Sequence, residues 1–157
     1  MAVLAEETIT NQLASLERSI AGVKNSYSYS QNPDALSTAM LPAVIHYIPS
    51  FESNLKAHHN VWNNQFVVRS ILFVASRQSS GGQLKFLENQ AIPFGAKWRD
   101  KFQADANLTT LFANLPGTVK VYLKSGNYGA GGDLLTYASV EFLGWYFDFD
   151  VSEVVGN

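Results

Sequence analysis

Cysteine is absent from this 157-residue chain. That excludes disulfides, thiolate metal sites, iron–sulfur clusters and thiol nucleophiles together. Charge is also scarce, at 15% of residues, and 11 basic against 13 acidic side chains leave no broad basic footprint for nucleic acid. No apolar run approaches the ~18 residues of a membrane span. The segment Met1–Thr10 has no basic n-region and carries Glu6 and Glu7, so it does not read as a signal peptide. Phosphate-binding motifs are missing too. Gly126, Gly129, Gly131 and Gly132 do not form G-x-G-x-x-G, no Gly-Lys-Ser/Thr follows, and the stretch leads into a strand rather than a helix. There is no H-E-x-x-H and no G-x-S-x-G elbow.

Aromatic residues are plentiful, at 13%. With few charges, they suit either an aromatic core or a surface covered by neighbours. The length implies one domain over residues 1–157, with roughly the first 8 and last 5 residues free to be flexible. Such a chain buries enough surface to fold without a disulfide or metal.

The stretch Leu134–Val151 organises the rest. Leu143, Trp145, Phe147, Phe149 and Val151 alternate with Gly144, Asp148 and Asp150, the period of a strand with one buried face. Phe142 and Tyr146 lie on the opposite face, which predicts an interior strand covered on both sides. Eighteen extended residues would span about 60 Å, roughly twice the diameter of a domain this size. The strand must therefore start later than Leu134 or bend, and Gly144 is the expected bend or bulge.

Upstream, Ile9, Leu13, Leu16 and Ile20 form one helix stripe, with Gly22 as a left-handed cap. Val23–Ser30 alternates as a short strand, and Asn32-Pro33-Asp34 is turn chemistry. Leu41–Ile48 reads as a strand bounded by Pro42 and Pro49, Phe51–Lys56 as a weaker one, and Val61–Ser76 as a long interior one. From Gln83 the period becomes helical through Leu84, Leu87, Ala91, Phe94, Trp98 and Phe102. Pro93 must kink this helix or split it in two. Asn107–Pro116 reads as an irregular link. Thr118–Lys124 is a strand, and Ser125–Asp133 a glycine-rich loop into the last strand. The expected fold is α+β. A mixed, mainly antiparallel sheet is packed by an N-terminal helix and a proline-interrupted second helix, and it ends in a C-terminal β-hairpin.

Three groups of residues invite a chemical reading. His58 and His59 are neighbours on a turn and point apart, so they make a poor metal pair, although His46 could approach one of them. Asp148 and Asp150 share a strand face. Paired carboxylates can do acid–base work in a cleft, but on a terminal strand they read more plainly as a solvated or subunit-facing edge. The long polar connections at the sheet ends are the candidate partner contacts: Lys56, His58 and His59; Arg77, Gln78 and Ser79; and Gly126, Asn127 and Tyr128. With Asp148 and Asp150 they make up the candidate site. No catalytic, metal-ligating or cofactor-binding residue is expected.

The order of features carries a family resemblance. A helix ends in Ile20, Ala21, Gly22 and Val23, and a tyrosine segment runs from Tyr27 to Tyr29. Leu41–Ile45 (LPAVI) precedes the long strand Phe66–Ala75. A helix interrupted at Pro93-Phe94 ends in Trp98–Phe102 (WRDKF), and the last element runs from Tyr137 through Phe142–Tyr146 (FLGWY) to Phe149–Val151. Over about Ile9 to Val151 this resembles the tail-terminator and tail-completion (neck) proteins of long-tailed bacteriophages, of the minor tail protein U type. The resemblance implies a non-enzymatic virion protein, assembled in the bacterial host cytoplasm, that forms a hexameric ring at the head-proximal end of the tail. Its implied partners are further copies of itself, the tail-tube protein and a head-connector or head-closure protein. It would stop tube polymerisation in virus assembly and perform head–tail joining. DNA would pass through without specific binding, and no membrane is involved. Other expectations stand beside it: another head–tail connector, a tail-tube subunit, or a small α+β enzyme or ligand binder using His46, His58 or Asp148.

Overall fold

The computed structural model describes residues 6–56, 61–78, 84–103, 118–129 and 134–156. The first helix, α1 (Glu6–Arg18), carries Glu6 and Glu7 in its first turn and Arg18 in its last, each favourable to the helix dipole. It ends one turn before Gly22, which takes φ +96° in the following reversal. The segment Val23–Ser30 forms far less strand than its alternation suggests, only β1 (Asn25–Ser26). Backbone bonds from Lys24 N–H to the Pro42 carbonyl and from Tyr27 N–H to the Val44 carbonyl, both 2.9 Å, hold the rest of the segment, and side chains add to them. Asn25 Nδ2 donates to the Met40 carbonyl at 2.8 Å, and the Asn32 amide brackets the backbone of His46, donating to its carbonyl at 2.7 Å and accepting from its N–H at 3.3 Å.

The two strand segments on either side of Pro49 are one strand, β2 (Ala43–Lys56). A bulge between Tyr47 and Ser50 absorbs the proline, whose missing N–H a regular ladder would not tolerate. β3 (Val61–Ser76) matches its expected span. Pro93 splits the long helix into α2 (Leu84–Ala91) and α3 (Phe94–Gln103). β4 (Thr118–Tyr128) runs four residues beyond Lys124, past a bulge between Leu123 and Ser125. Gly126, Asn127 and Tyr128 therefore lie in a strand opposite Phe147, Tyr146 and Trp145, and not in a loop tip. The stretch from Leu134 is also divided. β5 (Leu135–Tyr137) turns through Ala138 and Ser139, at φ 50° and 66°, into β6 (Val140–Gly156). The expected link Asn107–Pro116 lies outside the described residues.

The fold is α+β, with sheet order β1-β2-β3-β6-β4. β1 pairs parallel to β2, and the remaining pairs are antiparallel. β6 is therefore an interior strand between β3 and β4. Gly144 sits beside a bulge, but the extra residue is Val74 on β3, between the pairs Phe73–Gly144 and Ala75–Leu143.

Helices cover one face of the near half of the sheet. Trp98 stacks on Phe147 with centroids 4.5 Å apart and rings 3° from parallel, and Phe102 meets Phe149 edge-on at 4.9 Å. Trp145 Nε1 donates to the Ala91 carbonyl at 2.9 Å, fixing the break between α2 and α3 over the strand. The opposite face of the near half holds a second core of Leu41, Ile45, Ile71, Phe73, Leu135 and Phe142. There Phe73 packs edge-on against Phe142 at 5.1 Å, and the Tyr137 hydroxyl donates to the Pro33 carbonyl. The far half comprises Ser50–Lys56, Val61–Val67, Asp150–Gly156 and Thr118–Tyr122. It keeps Phe66, Val119, Val121 and Val151 buried, but leaves Phe51 75%, Leu55 50% and Trp62 40% exposed.

A Cβ built at Gly144 would lie 1.9 Å from the Leu72 carbonyl oxygen, a backbone atom that cannot swing aside. Gly144→Ala should cost about 3 kcal/mol or more. Gly126→Ala meets the Phe147 ring edge at 3.0 Å and the Trp145 ring at an ordinary 3.8 Å, with no backbone atom among these nearest neighbours, and should stay within about 1 kcal/mol of wild type. Urea unfolding midpoints of the two variants check both values.

Candidate interaction surface and the buried polar centre

The most highly charged spot in the core is a position the apolar pattern conceals. Glu17 lies four residues after Leu13 and three before Ile20, on the inward stripe of α1, and it is fully buried. Its Oε1 meets His46 Nε2 at 2.5 Å, and its Oε2 accepts from Trp98 Nε1 at 3.2 Å. His46 Nδ1 faces the Tyr27 carbonyl at 2.5 Å. Both ring nitrogens thus face acceptors, which suits a doubly protonated imidazolium. Burial pulls the His46 pKa down. The Glu17 carboxylate beside it, by charge and hydrogen bond, and the Tyr27 carbonyl outweigh this and raise it above the ordinary value. Four parts of the chain meet here: α1, β2, α3 and the Tyr27 segment. The centre is sealed from solvent, with Glu17, His46 and Trp98 all at 0% exposure, so it offers a substrate no access.

The other residues considered for chemistry do not converge on it. Asp148 pairs across the sheet with Arg69, on the face away from the helices. Arg69 Nε donates to its Oδ1 at 2.8 Å and Nη2 to its Oδ2 at 3.0 Å. Arg69 also donates to the Tyr47 hydroxyl at 3.2 Å and lies 5.0 Å over the Tyr146 ring. These partners, led by the Asp148 hydrogen bonds, raise the guanidinium pKa further. Asp150 accepts from the Tyr122 hydroxyl at 2.8 Å and lies 3.9 Å from Lys124 Nζ. Both acids stand on an interior strand, so the reading of them as a terminal acidic edge is corrected. Each is engaged by partners of its own.

The expected contact residues are dispersed. Lys56 ends β2, while His58, His59 and Ser79 lie outside the described residues. Arg77 leaves the end of β3 and pairs with Glu141 at 2.7 Å, with Gln78 exposed beside it. Gly126 and Asn127 are exposed on β4, and Tyr128 is half-buried with its ring 5.4 Å from that of Trp145. Lys56 and Tyr128 stand at opposite ends of the sheet, so no single contact patch gathers these residues.

Two of the open depressions among the described residues bear on the site. One of about 400 Å³ on the face away from the helices is lined by Glu52, Gln65, Tyr122, Lys124, Asp150 and Ser152. The other, of about 500 Å³, lies between the start of α3 and the sheet, with Ile92, Gly95, Arg99, Leu123 and Trp145 in its wall. Neither brings a histidine near a carboxylate. Among the described residues, no cluster of His, Asp and Glu could hold a metal ion.

A third polar group was missed by the alternation. Glu153, only 2% exposed, lies on the helix face of the far half. Ser53 Oγ donates to Asn64 Oδ1 at 2.7 Å, and Asn64 Nδ2 donates to Glu153 Oε1 at 3.0 Å. This polar row crosses three strands between two apolar rows, Phe51–Phe66–Val151 and Leu55–Trp62.

Glu17→Gln, which leaves the His46 charge buried without its partner, should cost about 3 kcal/mol. Because the folded pKa of His46 is raised, its contribution to stability is complete below the ordinary value near 6.5 and fades as pH rises through the folded value. Urea unfolding from pH 5.5 to 9 should show this decline in wild type and not in His46→Gln. On the opposite face, Asp148→Asn should cost about 1 kcal/mol and Asp150→Asn less than about 0.5 kcal/mol, both with the fold retained. Thermal and urea melts measure that difference.

Comparison with protein-family models and with curated proteins returns no match, so the functional reading rests on the chain's own features.

Proposed function

We propose that this chain is a ring-forming structural protein of a bacteriophage tail, acting as a terminator at the head-proximal end. The order of sequence features that resembles the tail-completion family motivates this reading. One structural observation supports it most. The far half of the sheet has unpaired outer strands among the described residues, and Phe51, Leu55 and Trp62 stand exposed on one face of it. Large exposed aromatics beside open strand edges suit a surface that copies cover in an assembly. A heterologous contact that closes on itself makes a ring. In this reading the ring caps the tail tube on one side and meets the head connector on the other, while the DNA passes through without specific binding. The near-neutral composition, with no basic run, is in keeping with a lumen that does not hold DNA. The reading is non-enzymatic, as the separation of His46 from Asp148 on opposite faces favours.

Light scattering and negative-stain imaging of the purified protein, alone and with tail tubes, test this. The expected result is a closed ring, with six-fold symmetry, that binds tube ends and halts their growth. Continuous tubes formed by the protein alone would make it a tube subunit instead. A monomer that ignores tube ends would overturn the reading.

A further inference from the structure

We propose that the chain joins copies of itself by continuing its sheet, with β4 of one copy lying antiparallel to the far half of β2, Ser50–Lys56, of the next. The inference rests on the self-assembly in the reading above and specifies its contact.

Strand direction makes the contact self-consistent. β2 is antiparallel to β3, β3 to β6 and β6 to β4. The four strands therefore alternate in direction, and β2 and β4 run opposite ways at the two sides of the far half. A second copy turned about an axis along the strands brings its β2 beside β4 in the antiparallel sense, with the helix faces of both copies on the same side. The contact uses two different edges, so it leaves an open β2 at one end and an open β4 at the other. It can therefore repeat until it closes. β1 pairs only with Ala43 and Val44. Residues 50–56 of β2 thus have no strand on their outer side among the described residues.

The side chains along the two edges complement one another. Paired residues share a face, so the cross-strand pairs define rows. The row Glu52–Gln65–Ser152–Lys120 begins with an acid on β2 and ends with a base on β4. Extended into the next copy without stagger, it sets Lys120 beside the neighbour's Glu52. Both are exposed, and neither has an ion-pair partner among the described residues. On the helix face, the row Phe51–Phe66–Val151–Val121 sets Val121 beside the neighbour's Phe51, which is 75% exposed in the single chain. The contact thus covers the most exposed aromatic of the sheet and neutralises an unpaired charge on each edge. Lysines and a bulge on an edge strand are also devices that keep edges apart, and Lys120, Lys124 and the β4 bulge are of that kind. The charge on β2 separates the two roles.

The test uses Glu52→Lys and Lys120→Glu, both surface changes, with circular dichroism to verify folding and sedimentation to measure self-association. Each variant alone places like charges across every contact and should associate about tenfold more weakly than wild type. An equimolar mixture of the two should recover wild-type association, because copies that alternate along the assembly restore opposite charges across every contact. Unchanged association of both variants, or no recovery on mixing, overturns the contact. So does a loss confined to Lys120→Glu, which would mean that Lys120 meets an acid other than Glu52 across the contact. Wild-type protein that stays monomeric at every concentration overturns both the contact and the ring. If the swap behaves as expected but the assemblies ignore tail tubes, the contact stands and the tail-terminator reading falls.

Discussion

The fold depends on a sheet that outruns the helices packed on it. β6 has 17 residues, which at strand spacing extend about 55 Å. α3 has 10, only about 15 Å of helix. The stack of Trp145 and Phe147 under Trp98 anchors α3 to the near half. The Glu17–His46–Trp98 centre then ties α1 to the same place, so both helices are held over one end of the strands. The opposite face of that end carries its own core, sealed by the β5–β6 turn and the Tyr27–Leu41 segment. Beyond it lies the half where Phe51, Leu55 and Trp62 are exposed. A buried ion pair is a weak source of net stability but a strong one of specificity, since any other packing of α1 would strand a charge. Here it fixes which half of the sheet the described helices cover, and the other half keeps Phe51, Leu55 and Trp62 exposed.

Much of this was legible in the residues. The alternation from Leu143 to Val151, the two-sided β3 and the helix stripe through Trp98 follow periods that burial enforces. Pro93 divided the helix because no helix interior tolerates it. The losses are equally physical. Ala138 and Ser139 make a tight turn at positive φ without the Asn-Gly or Gly signal that usually marks one. Pro49 looked like a strand end, because sequence shows the missing donor and not the bulge that accommodates it. Gly126 in a glycine-rich run looked like a loop, yet a strand continues through it opposite Phe147.

The candidate site was less legible, because its content is pairing across the chain. Glu17 could have been noticed as a charge on an apolar stripe, but its partners His46 and Trp98 are 29 and 81 residues away. The alternation assigns Asp148 and Asp150 to the correct face. Their strand, last in sequence, proved interior in space, and Arg69 and Tyr122 were waiting on its neighbours. The polar row Ser53–Asn64–Glu153 is likewise invisible until three strands are aligned. In sequence the loops stand out as polar and long, whereas in the structure backbone donors and acceptors, the exposed Phe51 and the charges of Glu52 and Lys120 lie on the strand edges.

Hydrogen–deuterium exchange across a concentration series tests the central claim most directly, because it reads the edges themselves. If copies join through the sheet, amides in residues 50–54 and 118–122 gain protection together as the protein assembles. Those of the interior strands β3 and β6, already paired on both sides, remain as they were. Edges that exchange equally fast in dilute and assembled protein, with new protection elsewhere, would contradict it.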